Sequence, residues 1–441
     1  MRRSIILIAL LSLAATILAA APAGAVKPPD YFVNETKLPF DALPGATAQW
    51  GVHKGAGYRI EVPDNWNGDL VMWAHGFRGT GLELTVDNHP LRPLLIEKGY
   101  AWAASSYTRN NYDITVGVQD THALAKRFNG LVGNPDKVYI TGASMGGHIT
   151  AVSIEQYNTY DGAMPICGVL GDYELFDYFL DFNVAAQQLG TGSSAYPVGD
   201  PATYIGVTVP AVKAGLEAVP NTWPFTLNEA GENHKALTEI RSGGERPNFD
   251  EAFGFWNSIP AATGPGNFLF ELAIGDGTLP RSPGVAVDNS DTVYQFDSDP
   301  ALTADEEALN DAIARVSADP QGRSPNGLAQ VPVISGDIDI PVVTLHNLGD
   351  LFVPVHNEIN YAERVAANGN SDLLVQRAIR GVLHCDFSGA ELGTAFLDLV
   401  NWVENGVKPA GDDWLDPDAV ADPDFGCTFT DGAHLLGTPC L

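Results

Sequence analysis

Short apolar runs and helical patterns alternate along the first part of the chain. After a polar lead-in, "YRIEVP" (58–63) predicts a strand. "DLVMWAHG" (69–76) is apolar nearly throughout, as a strand buried on both faces must be. Leu91, Leu94, Leu95 and Ile96 recur at helical spacing and stop at Gly99. "YAWAASSY" (100–107) predicts a third strand. Residues 116–128 predict a helix with Ala123, Leu124 and Phe128 on one face. "VYIT" (138–141) is a fourth strand, followed by a helix over 147–156 and a fifth strand, "GAMPICGVLG" (162–171). Strand and helix in alternation predict an α/β domain with a mostly parallel central sheet flanked by helices.

The rhythm breaks at Asp172. Residues 172–334 hold aromatic-rich stretches ("DYELFDYFLDF", "NTWPF" around Trp223, "EAFGFWN") and Pro/Gly linkers. One clear helix, 303–317, opens with the capping-box pattern Thr303 to Glu306. This segment reads as a large insertion, mainly helical and irregular. Tyr173, Phe176, Tyr178, Phe179 and Phe182 are spaced for one helix face, either as the insertion's own core or as the lining of a cleft. The rhythm returns with "IPVVTLHNLGD" (340–350), a helix over 356–367, a strand over 372–379 and a helix over 389–404. The tail after Gly406, rich in Pro, Asp and Gly, reads as an ordered surface loop.

The first residues change the picture. "MRR", an apolar stretch and "APAGA" form the pattern of a secretory signal over 1–25, cut after Ala25, with a membrane anchor as the alternative. The formal charge is −30, and loss of Arg2 and Arg3 with the leader takes it to −30 − 2 = −32. Phosphate contacts need Lys and Arg, so nucleic acid is not an expected partner, and neither is an acidic membrane surface. Stable membrane insertion is not expected, because no stretch beyond the leader is apolar and long enough to span a bilayer. An even number of cysteines (Cys167, Cys385, Cys427, Cys440) in an exported chain predicts disulfides, and their spacing fits no zinc pattern. Cys427 and Cys440 bracket a short Gly/Pro-containing loop and are the natural pair. Cys167 and Cys385 are then left to join, or Cys167 stays a buried thiol.

The chemistry centres on "GASMGG" (142–147). A G-x-S-x-G pattern alone is weak. Here it ends a strand and opens a helix, the placement a nucleophile elbow requires, and Gly142, Gly146 and Gly147 keep the surroundings of Ser144 small. A serine needs a base, and the base an orienting acid. Asp350 follows a later strand, and His384 follows the last one. Other candidates have quieter readings. His346 is packed or hydrogen-bonded inside its strand, and His148 is structural. His122 and His356 are surface residues, Glu358 sits on a solvated helix face, and Asp386 is too near His384 in sequence to orient it. His75 and Gly76 serve loop geometry.

With "HGFRG" (75–79), "GASMGG", "GDLFVP" (349–354) and "HC" (384–385) in this order, the chain resembles an α/β-hydrolase fold serine hydrolase. The resemblance covers 26–171 and 335–441. It implies Ser144 as nucleophile, His384 as base and Asp350 as acid. It also implies an oxyanion hole from the backbone N–H groups of Phe77 and Met145, and a cap over the site at 172–334. The "HC" pair also occurs in feruloyl-esterase and tannase-like hydrolases, but there a second cysteine flanks the serine, where this chain has Ala143 and Met145.

The resemblance implies a secreted hydrolase of carboxylic esters, small or polymeric, that requires no metal or organic cofactor. Amide or peptide cleavage by the same triad is the alternative. A non-catalytic α/β-hydrolase-like binding protein is a second alternative. A calcium-dependent surface protein is a third, raised by "DNSDTVYQFDSD" (288–299), which lacks EF-hand spacing and its glycine.

Overall fold

The computed structural model describes residues 30–219, 226–261, 264–275, 277–279, 284–323 and 331–440. The expected leader and Trp223 lie outside these residues. An eight-stranded sheet organises the chain, built from β1 (Ala46–His53), β2 (Ala56–Pro63), β3 (Leu70–Ala74), β4 (Ala101–Ser105), β5 (Val138–Ala143), β6 (Gly162–Ile166), β7 (Val342–Asn347) and β8 (Leu374–Ile379). Their order across the sheet is β8-β7-β6-β5-β3-β4-β2-β1. From β8 to β4 all neighbours are parallel, and β2 is antiparallel to both β4 and β1. The expected α/β-hydrolase fold is the one observed.

The edge strand β1 was not expected. Its residues alternate between half-buried and exposed, so no buried apolar run marks it. A two-residue turn creates it, with Lys54 at φ 52° and Gly55 at φ 93°, the left-handed pair a tight hairpin needs.

The helices about the sheet are α1 (Arg92–Lys98), α2 (Ile114–Leu131), α3 (Met145–Gln156), and, later in the chain, those after β7. Between β6 and β7 come α4 (Glu174–Thr191), α5 (Val209–Leu216), α6 (Glu229–Ser242), α7 (Phe249–Trp256), α8 (Phe268–Glu271) and α9 (Ala304–Ala312). After β7 come α10 (His356–Ala367) and α11 (Gly389–Asn405). Side chains of β3 alternate between two cores. Leu70, Met72 and Ala74 join Phe128, Ile149 and Tyr361 on one face, whereas Val71 and Trp73 join Leu95, Phe396 and Trp402 on the other. Each fully buried large apolar side chain contributes about 1.5–3 kcal/mol, so this double layer fixes the sheet firmly.

Among the described residues, the stretch between β6 and β7 adds no strand to the large sheet. It is more helical than the sequence suggested. The expected helix 303–317 is shorter, ending at Ala312, although its capping box at Thr303 and Glu306 forms. Ile313 turns extended, and beyond it Arg315 donates to the carbonyls of Asn289, Thr292 and Asn310, which hold the chain in a loop. Phe182, Phe249, Ala252, Phe253 and Trp256 form one apolar cluster with Leu351 and Val382, so the insertion packs directly on the loops that follow β7 and β8. No helix among the described residues is long and apolar enough to cross a membrane.

Candidate active site

The sequence "TGASMGG" folds as a strand, a one-residue reversal and a helix. Ser144 stands between β5 and α3 with φ 60° and ψ −123°, a backbone conformation that L-residues rarely hold. The surrounding bonds enforce it. The Ser144 amide donates to the Ile166 carbonyl at 2.9 Å, and its carbonyl accepts from Gly147 at 2.9 Å and Val169 at 3.3 Å. Two glycines make the turn possible. A Cβ on Gly142 would run into the Gly146 carbonyl, and one on Gly146 would run into the Ala74 carbonyl.

The Ala74 end of β3 leads into the loop carrying Phe77. Gly76 lies against the serine: a Cβ there would sit 3.3 Å from Ser144 Cβ and 3.8 Å from its Oγ. His75 does serve loop geometry, as expected. Its Nδ1 lies 2.7 Å from the Gly76 carbonyl, its ring stacks on Tyr107 at 4.0 Å, and the Tyr107 hydroxyl donates to the His75 carbonyl. Complete burial, with Arg78 nearby, drives its pKa well below the usual value, so the ring is neutral. Met145 is buried as the first residue of α3, and Phe77 packs at the border of the core.

Asp350 and His384 are brought together. Asp350 is fully buried, and its Oδ1 accepts from the amides of Phe352 and Val353, both at 2.9 Å. Its Oδ2 lies 2.5 Å from His384 Nδ1. A carboxylate there accepts the Nδ1 proton and leaves the lone pair on Nε2. Nε2 sits 3.4 Å from Cys385 Sγ. Cys385 is disulfide-bonded to Cys167, and Cys427 to Cys440. Cys167 directly follows Ile166, the residue that receives the Ser144 amide. The first disulfide therefore ties the neighbourhood of the serine to the residue after the histidine.

The other candidates divide. His346 is buried within β7, with Nε2 2.7 Å from the Val353 carbonyl and Nδ1 3.2 Å from Glu358. Burial would lower its pKa, but the bond to Glu358, the charges of Glu358 and Asp350 and the Val353 carbonyl together outweigh burial and raise it. His148 is structural, held between the Tyr112 hydroxyl and the Pro332 carbonyl. Three expectations fail. Glu358 is not on a solvated face: it is completely buried and receives Thr344 Oγ1 at 2.6 Å and Gln376 Nε2 at 2.5 Å. His356 is buried against Tyr178, and burial lowers its pKa to about 3. His122 is buried too, stacked on Tyr157 at 3.6 Å. In each case a tertiary partner distant in sequence covers a polar residue that a helical pattern would leave in water.

Of the five aromatics of 173–182, Tyr173, Tyr178, Phe179 and Phe182 are buried in apolar clusters. Phe182 joins the insertion's core, whereas Tyr178 and Phe179 pack with Val353 of the acid loop. In the acidic stretch 288–299, Asp288 accepts from the amides of Ser290 and Ala318, so its carboxylate serves the loop itself.

Two site residues had no sequence signal. Phe352 sets its ring edge-on to His384 at 5.0 Å and packs on Phe268 and Phe179. His434, in the loop closed by Cys427 and Cys440, places Nδ1 3.3 Å from Asp386 and Nε2 2.8 Å from Glu391. Asn347 clamps the backbone of the same Asp386 through both its amide atoms. A partner 43 or 48 residues away leaves no local pattern.

No family model matches the chain. It is 22% identical over 403 residues to an o-phthalyl amidase of Xanthobacter agilis, covering 81% of this chain and 87% of that protein. Among solved structures it is similar to an esterase from Aspergillus oryzae, with 15% identity, a TM-score of 0.46 and coverage of 82% of this chain and 80% of the other. It is also similar to an acylaminoacyl peptidase of Pyrococcus horikoshii, with 10% identity, a TM-score of 0.39 and coverage of 78% of this chain. The chain spans only 38% of that peptidase's length.

Proposed function

We propose that this chain is an exported serine hydrolase that cleaves carboxylic esters through Ser144, His384 and Asp350. The observation that carries the reading is the 2.5 Å pairing of His384 Nδ1 with a fully buried Asp350, in a loop that the Cys167–Cys385 disulfide ties to the strand end bonded to Ser144, a serine held at positive φ on a strand–helix turn. Ser144 Oγ attacks the acyl carbon while His384 Nε2 takes its proton. The tetrahedral oxyanion is met by the backbone N–H groups of Phe77 and Met145, each such donor being worth about 3–4 kcal/mol in the transition state. The imidazolium then gives its proton to the leaving alkoxide, and an acyl-enzyme remains. Water, deprotonated by Nε2, releases the acid and restores the serine. Asp350 stays ionised and holds the imidazole in the Nδ1–H tautomer. Residues 172–334 act as a cap that shapes access, with Phe352 and Phe268 at the entry to His384.

Amide cleavage by the same triad is the second reading, favoured by the amidase that aligns over most of both chains. It differs only in that the imidazolium proton goes to a leaving amine. Export is supported by the basic-apolar-small pattern of 1–25 and by two disulfides.

A panel of p-nitrophenyl esters of increasing acyl length, set beside p-nitroanilides, tests the reading. Turnover of the esters that vanishes in Ser144→Ala is the expected result. Turnover of anilides alone would replace the ester reading by the amide one. A wild-type protein inert to both and to a fluorophosphonate would support a binding protein instead.

A further inference from the structure

We propose that Trp256, contributed by the insertion, is a positioning residue that holds the acid loop and the base loop in register. This rests on the triad reading above. Trp256 ends α7 and is 1% exposed. Its Nε1–H is shared between two carbonyls, that of Gly349 and that of Val382, both at 2.9 Å. Gly349 immediately precedes Asp350, and Val382 lies two residues before His384. One indole N–H therefore bonds the two loops whose separation sets the Asp350–His384 distance.

The packing around this donor leaves little room for the loops to drift. The Gly349 amide donates to the Gly381 carbonyl at 2.8 Å. A side chain at 349 would meet Val382 Cα at 2.8 Å and Ala252 Cβ, on α7 itself, at 3.1 Å. A second insertion residue, the buried Arg246, donates Nε to the Leu348 carbonyl at 2.8 Å. The indole also backs Phe352, at 6.3 Å between rings, and Phe352 rests edge-on against His384. The bonds and the rings converge on the same pair. By contrast, a residue that merely filled the cap's core would have no reason to spend its one polar atom on these two carbonyls.

The acid and base are 34 residues apart. The parallel pairing of β7 with β8 runs on into the loops as far as the Gly349–Gly381 bond, and beyond it the alignment of Asp350 with His384 depends on what is packed against them. Small errors of alignment are costly in rate: a misplacement of about 1 Å can cost roughly a hundredfold. Removal of the N–H leaves two buried carbonyls without their shared donor, and the loops relax apart.

Trp256→Phe keeps an apolar ring and deletes the N–H. Expected is a fall in kcat of about tenfold, equal on p-nitrophenyl acetate and on a long-chain ester, with KM unchanged. If Trp256→Phe fails to fold, Trp256→benzothienylalanine preserves the bicyclic shape and still lacks the N–H. A wild-type kcat in a folded protein lacking this N–H overturns the proposal. So does a loss confined to bulky esters, which would make Trp256 a pocket wall. Ser144→Ala assayed alongside separates the two claims. If Ser144→Ala keeps its turnover, the triad reading fails whatever Trp256 does; if only Ser144→Ala loses it, the triad stands and the role of Trp256 falls.

Discussion

Ser144 and His384, the proposed nucleophile and base, are held by different means. Ser144 is fixed by backbone. Its turn is set by the β5 ladder, by α3, and by glycines that admit the carbonyls of Gly146 and Ala74 at close range. Its amide and carbonyl are both bonded to neighbouring backbone. His384 is fixed by side chains that arrive from elsewhere: Asp350 at its ring, Phe352 at its edge, Cys167 through Cys385, and His434 and Asn347 through Asp386. The proposed nucleophile is thus held by backbone of its own turn and of the adjoining strand ends, whereas the proposed base is held by side chains from several places. A change near the serine should abolish the site outright. A change near the histidine should detune it.

The largest effect separates the chemistry itself from its supports. Ser144→Ala or His384→Ala should lower kcat by several orders of magnitude with the fold intact, and Asp350→Asn by about 10⁴-fold or somewhat less, measured on p-nitrophenyl acetate with circular dichroism as the control. Next comes Gly146→Ala. Its methyl group would press on the Ala74 carbonyl, so the turn must deform. The expected outcome is loss of nearly all activity, with a stability loss of about 1–3 kcal/mol by denaturant titration. A Gly146→Ala protein with normal kcat would break the contrast at its stronger side.

Removal of the tether should do less. Cys167→Ala with Cys385→Ala is expected to lower kcat about tenfold and to lower stability by about 2–4 kcal/mol. Cys427→Ala with Cys440→Ala should cost stability with a smaller change in kcat, because the loop they close reaches the base through His434, Thr430 and Phe429 and not by a bond to the residue beside it. Equal kcat losses in the two double variants would show that neither bridge serves the base in particular.

The smallest effect is one of pH. Burial opposes charge on His434, but its bonds to Asp386 and Glu391 outweigh burial and raise its pKa to about 9. A histidine raised from about 6.5 in the unfolded chain stabilises the fold fully below that pH, and the benefit fades as pH climbs towards 9. His434→Gln should therefore flatten the fall of stability between pH 6.5 and 9, as read from thermal unfolding at each pH. An unchanged slope would remove His434 from the supports of the base loop.

This contrast also explains what the chain reveals before it is folded. The strands β2 to β8 and the elbow are written in runs of adjacent residues, and they are legible. Asp350 and His384 are legible only through their place after strands, in the order the resemblance supplies. Glu358, His122 and His356 mislead because their partners lie elsewhere in the chain, and a helical pattern cannot show that a tertiary neighbour buries its polar face. Phe352 stands inside "GDLFVP" and Trp256 inside "EAFGFWN", but neither stretch shows what its ring touches, and His434 carries no local mark. Trp256 reaches carbonyls 93 and 126 residues away.

The central claim is that Ser144 is the nucleophile that this assembly activates. Intact-mass analysis after treatment with a fluorophosphonate, followed by peptide mapping, tests it most directly. The account predicts one adduct per chain, on the peptide containing Ser144, and none in Ser144→Ala or His384→Ala. An adduct at another residue, or full ester turnover by Ser144→Ala, would contradict it.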